Sequence, residues 1–219
     1  MTEPKIAFCI SGQPRTMEFC FPSIKTHILD IYHPDVFIVS DSLESKIQEL
    51  FNPIDIEIHT PEEEWLAIGE KRTKYISHDP PTVPERNVSI FWKSFRCGEM
   101  LREHERLHGR YDVVLIGRFD VVIHRVQSIT VPEEGVLYVP RVDAHLLPPD
   151  ANGYHFGGYS AQLCWCSSRV ASLLFDEYFW SDQYYQLYNW WGCEPMLRWF
   201  LERHGIRIQH VEIDMSIKR

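Results

Sequence analysis

The sequence lacks several things that would settle its class at once. It begins without a long apolar run: Ile6 to Ile10 stops after five residues at Ser11, too short for a signal-peptide core or a membrane span. As it stands the chain reads as cytosolic, with no membrane span. Its six cysteines form no CxxC pair, which excludes a zinc ribbon or a disulfide scaffold and leaves buried free thiols. Basic residues are in deficit, 22 against 31 acidic, for a formal charge of -9. That balance argues against nucleic acid or an anionic membrane surface as a partner, so any anionic ligand must be held by local groups. GxxxxGK[ST] is absent, which ranks a kinase-like or sulfotransferase-like phosphate loop last. No low-complexity segment, internal repeat or linker interrupts the chain, and 219 residues, 44% of them hydrophobic, suit one domain with a sizeable core.

What is present is alternation. "KIAFCI", "DVFIVS" (Asp35 to Ser40) and "DIEIHT" (Asp55 to Thr60) are short apolar runs that read as strands. Met17 to Ile31 and Leu43 to Leu50 read as helices between them, with Pro22 near a helix start or at a break. A helix start is expected at Glu62, then an irregular proline-rich loop to residue 87. Ser89 to His108 is a helix capped at Gly109, and Asp112 to Ile116 a buried strand. "GVLYVP" and "AQLCWCS" are further strands, Ser168 to Phe179 and Glu194 to His204 are helices, and "IRIQHVEI" is a final strand. The expected architecture is a three-layer α/β/α sandwich with a mostly parallel central sheet and antiparallel or edge strands in its second half.

Four stretches carry chemistry. "SGQPR", Ser11 to Arg15, follows the first strand and precedes the first helix, where parallel sheets bind ligands and free amides suit phosphate. Gly12 and Gln13 belong to that loop, and Arg15 adds a donor fork for an anion; an ordinary strand-to-helix turn is the other reading. "GRFD", Gly117 to Asp120, ends the most apolar strand. A carboxylate there can hold Mg²⁺ or Mn²⁺ against a diphosphate, and Arg118 can bind phosphate directly or pair with Asp120. "YHFGGYS" places Phe156 beside Gly157 and Gly158, which admit close approach of a ligand or simply form a turn. "NWWGCEP" sets Trp190 and Trp191 before Glu194, either a pocket wall with a desolvated general base or a helix first turn. His210, in the last strand, is a candidate metal ligand or an ordinary surface or core histidine.

Taken in order, these segments resemble the GT-A class of nucleotide-sugar glycosyltransferases, in the style of small soluble bacterial and viral enzymes. "KIAFCISGQPR" is similar to that class's opening strand and nucleotide loop, and "RFD" to its Asp-x-Asp metal motif, with Arg118 in place of the first Asp. "FGGYSA" and "WWGCEP" are similar in order and separation to the "FGGVSA" and "WGxGGED" segments of inverting galactosyltransferases, with Pro195 where that branch is acidic. The resemblance implies a GT-A fold with a nucleotide-binding half over about 1–125 and an acceptor half over about 126–219. It implies sugar transfer from a nucleoside diphosphate, a UDP-sugar in the first instance, to a glycan hydroxyl. It further implies Asp120 and His210 as ligands of Mn²⁺ or Mg²⁺, Asp41 near the ribose or base, Arg15 and Arg118 at the phosphates, and Glu194 as base. A non-catalytic sugar- or nucleotide-binding module on the same fold is the alternative that Arg118 raises.

Overall fold

In the computed structural model the described residues are 3–60, 63, 84–141, 162–188 and 193–218. The apolar runs form the expected strands: β1 (Ile6–Gly12), β2 (Asp35–Ser40), β3 (Asp55–Ile58), β4 (Val113–Gly117), β6 (Val136–Pro140) and β7 (Leu163–Cys166). The second apolar run of "VVLIGRFDVVIHR" is β5 (Val121–Val126). The closing run is not one strand but two, β8 (Arg207–Val211) and β9 (Ile213–Ile217), divided at Glu212. There the chain leaves one sheet for another.

Seven strands make a sheet of order β3-β2-β1-β4-β7-β6-β8, all parallel except β7, which runs against both β4 and β6. Strands buried on both faces need no alternation, which is why β1, β2 and β4 read as nearly continuous apolar runs. β5 and β9 pair antiparallel as a separate ribbon. Chain from the expected acceptor half thus returns to pair beside the expected nucleotide half.

Helices cover both faces. α1 (Met17–Ile24), α2 (Glu44–Phe51) and the β5–β9 ribbon bury Met17, Ile28, Ile47, Phe51, Phe119 and Val121 against one face. Pro22 lies inside α1 rather than at its start, and the chain widens into a π-helical turn at Lys25–Leu29 before a last turn at Asp30–Tyr32. On the other face lie α3 (Pro84–His108), α4 (Ser168–Phe175) and α6 (Cys193–Arg203), around Cys97, Leu101, Phe175 and Phe200. α3 ends where Gly109 takes φ +85°, the left-handed cap its sequence implies. α5 (Glu177–Tyr188) extends the helical region well past Phe179. Glu63 is helical and exchanges hydrogen bonds with Thr60, a capping box, while Glu62 lies outside the described residues.

One buried carboxyl is costly. Glu177, 7% exposed in the first turn of α5, has no hydrogen-bond partner for Oε1 among the described residues. Burial pushes its pKa well above the ordinary 4.5, so the folded protein keeps it protonated while the unfolded chain releases the proton. Stability from this group is therefore complete below pH 4.5 and is lost as pH rises. Glu177→Gln should match the wild type at low pH and melt progressively higher than it up to pH 8. Comparing the two melting curves cancels contributions such as His104, whose pKa burial moves downward. A difference independent of pH would show that the carboxyl stays ionised.

Candidate functional site

The carboxyl ends of β1, β2 and β4 lie side by side: Gly12 pairs with Ser40, and Ile10 with Gly117. Loops leaving one sheet edge are where parallel α/β folds bind ligands. At Gly12 the backbone adopts φ +130°, a conformation open to glycine, and turns into the exposed Gln13 and Arg15. Arg15 makes no hydrogen bond or ion pair with any described residue. Thr16, at the start of α1, does not cap the helix; its hydroxyl donates instead to the carbonyl of Lys218, 3.1 Å away.

β4 ends at Gly117, where Phe8 packs so closely that a Cβ would stand 2.7 Å from its ring. The next three residues alternate. Phe119 turns inward, 1% exposed, with its ring edge-on to Phe51 at 5.9 Å. Arg118 and Asp120 turn outward and meet in a two-pronged ion pair, Nε to Oδ1 at 2.9 Å and Nη2 to Oδ2 at 2.6 Å. The Asp120 carbonyl also accepts from the backbone N–H of Lys218 at 2.8 Å. Lys218 Nζ lies 4.7 Å from the centre of the Phe19 ring on α1. Beneath this corner Cys20 has its thiol pKa raised, first by burial, with Asp120 adding and the Thr16 hydroxyl and Lys218 opposing. Arg118 and Lys218 thus meet at Asp120, the first through its side chain and the second through its backbone, and Arg15 stands in the loop just before Thr16.

A second cluster stands beyond β2. Asp41 accepts from the Ser42 hydroxyl and lies 3.6 Å from Lys93 Nζ. Lys93 is only 3% exposed and also donates to Ser89 Oγ at 3.2 Å. His59 follows β3 and is fixed there by its N–H to the Ser40 carbonyl, 2.9 Å. It touches Glu57, which Arg96 clamps through Nε at 2.8 Å, and it meets Trp92 edge-on at 4.6 Å. Trp92 packs in turn with Tyr184 of α5 and Met196 of α6. Met196 belongs to that cluster, and Glu194 lies two residues before it in the first turn of α6.

The structure thus gathers Ser11, Gly12, Gln13, Arg15, Asp41, Arg118 and Asp120 along one edge, with the backbone of Glu194 nearby. Phe156, Gly157, Gly158, Trp190 and Trp191 lie outside the described residues. His210 is not brought to Asp120. It is exposed on β8 and shares a row with Val139, Cys164 and Ile116, three strand spacings or roughly 14 Å from β4. Lys93, Trp92, His59 and Lys218 join this candidate site by position, and the motifs did not reveal them. A lysine within the apolar "SIFWKSF", four residues after Ser89, was the available signal for the first of them.

Divalent cations such as Mn²⁺ and Mg²⁺ take oxygen ligands, commonly one or two carboxylates beside substrate phosphates. Here both oxygens of Asp120 are engaged by Arg118, and among the described residues no three acidic, histidine or cysteine side chains group as a metal site. That donor set does not suit a cation. A groove of about 470 Å³ between α3 and α4 lies at the opposite sheet edge. Of its arginines, Arg102, Arg106 and Arg169 pair with Asp176, Glu103 and Glu134.

No family model matches the chain, and no curated protein matches its sequence. Among solved structures, the chain is similar to mouse xyloside xylosyltransferase 1 in its apo form, at 12% identity and a TM-score of 0.48, over 96% of this chain and 85% of that one. No described helix is long and apolar enough to cross a membrane.

Proposed function

We propose that the protein is a glycosyltransferase of the GT-A kind, moving a sugar from a nucleoside-diphosphate donor to an acceptor hydroxyl. The observation that carries this reading is the cationic corner at the carboxyl ends of β1 and β4, where Arg15 has no partner among the described residues and Arg118 is oriented by Asp120. An anion held there lies beside Gly12, whose missing side chain leaves the backbone open to it. The sequence resemblance supplies the sugar; the corner supplies the diphosphate.

In this reading Asp41, steadied by Lys93, faces the nucleoside, and Trp92 and His59 close that end. The acceptor oxygen attacks the anomeric carbon and the bond from that carbon to the diphosphate oxygen breaks. The acceptor proton passes to the Glu194 carboxylate, and the nucleoside diphosphate leaves with its charge balanced by the cationic corner. Inversion at the anomeric carbon follows from a single displacement.

A panel of UDP-, GDP-, CMP- and dTDP-sugars tests the proposal. One of them should raise the melting temperature by mass action and, with an acceptor or water, release its nucleotide. Glu194→Gln should keep the thermal shift and lose the release. Binding without release by the wild type would favour a non-catalytic nucleotide-sugar module, which the Arg118 replacement makes the second reading.

A further inference from the structure

We infer that the donor's diphosphate is held without a metal ion, by the Arg118 guanidinium together with Arg15 and Lys218; this rests on the proposed function only for the identity of the anion. Three observations converge. Asp120 engages Nε and Nη2 of Arg118 and fixes the plane of the guanidinium. Of its five N–H donors the pair uses two, which leaves about three for a further acceptor. Planar, fixed donors of this kind suit two phosphate oxygens at once.

Second, the neighbouring charge has the wrong sign for a cation. Arg15 follows β1, and Lys218 follows β9 with its backbone tied to both Asp120 and Thr16. Arg118 already neutralises Asp120, and Arg15 and Lys218 add positive charge on the adjoining segments, in a protein of net charge -9. A dication placed at Asp120 would have to displace the guanidinium and then lie against it, at a Coulomb cost that a partly buried site does not screen away. An anion gains from the same charges.

Third, the arrangement is held from three separate parts of the sequence. Phe119 anchors the turn in the core, Thr16 reaches across 202 residues to the Lys218 carbonyl, and β9 lies along β5. Preorganised cations at a leaving diphosphate do what a metal does in stabilising developing charge. Lys218 thereby joins the site as a phosphate-facing residue.

The test uses inorganic pyrophosphate and nucleoside diphosphates, each titrated calorimetrically in EDTA and in Mn²⁺. Pyrophosphate should bind equally well in EDTA. Arg118→Gln should weaken it ten- to hundredfold under both conditions, the range expected for losing hydrogen bonds from a charged group, and Lys218→Gln should weaken it several-fold. A metal site predicts the reverse for Arg118→Gln: with the guanidinium gone, Asp120 is free, and binding in Mn²⁺ holds or improves. Binding that needs Mn²⁺, or none to pyrophosphate at millimolar concentration, overturns the inference. Melting curves of each variant exclude unfolding, and Lys218→Gln, on an exposed residue, keeps the test open if Arg118→Gln fails to fold. Pyrophosphate binding in EDTA with no added affinity for any nucleotide would keep the metal-free site and remove the nucleotide-sugar reading.

Discussion

Phe119→Ala should be among the most destabilising single substitutions in this protein, costing about 3–5 kcal/mol as large aromatic truncations in a packed core do. For a chain of this length that is a fall in melting temperature of roughly 6–20 °C. The side chain is 1% exposed, packs edge-on to Phe51, and belongs to the cluster formed by α1, α2, β5 and the sheet. Because Phe119 stands between Arg118 and Asp120, the variant should also lose affinity for pyrophosphate, whereas Phe119→Leu should retain most of both. Thermal unfolding followed by titration checks it. A cost under 1 kcal/mol would mean that the turn is anchored elsewhere.

Lys93→Met should cost nearly as much, by a different route. Lys93 is 3% exposed and Asp41 11% exposed, so removing the ammonium strands a carboxylate in a place where water reaches it poorly. Breaking one side of such a pair typically costs roughly 3–5 kcal/mol, while replacing both partners costs far less. The double variant Lys93→Met/Asp41→Asn should therefore be more stable than Lys93→Met alone. If the two changes simply add, the pair contributes no coupling and Asp41 is solvated well enough without its lysine. Chemical denaturation of the two single variants and the double one closes the cycle.

How much of this was legible in the sequence differs by residue. The strands of the large sheet were, because β1, β2 and β4 are buried on both faces and each is a short apolar run between turn residues. The charges of "GRFD" were legible as needing a partner, since charge at the end of such a run demands one, and the partner proved to be internal: Arg118 and Asp120 face each other across an inward Phe119. The split of the last run into β8 and β9 was not, since the alternation from Val211 through Glu212 to Ile217 is unbroken and only the pairing partners distinguish the two strands. Lys93 and Lys218 could not be found by motif. Each matters through what lies beside it in space, Asp41 in one case and Asp120 in the other, 52 and 98 residues away in sequence. His210 shows the converse, since a residue suited to a ligand's role by type lies three strands from the carboxylate it was matched to.

The clasp of Lys218 onto Thr16 and Asp120 has a consequence for how the molecule assembles. Half of the strand pairs of the large sheet, β1–β2, β2–β3 and β6–β7, can form from nearby chain, but the proposed anion corner requires β9 to find β5 and then the loop after β1, closing a span of 202 residues. Loop-closure entropy and high contact order make such an encounter late. An intermediate that has formed the large sheet but not the ribbon would have a nearly complete core and an unfinished anion site. The proposed ability to bind a diphosphate then becomes the last property the folding chain acquires, and the first that fraying of β9 would remove.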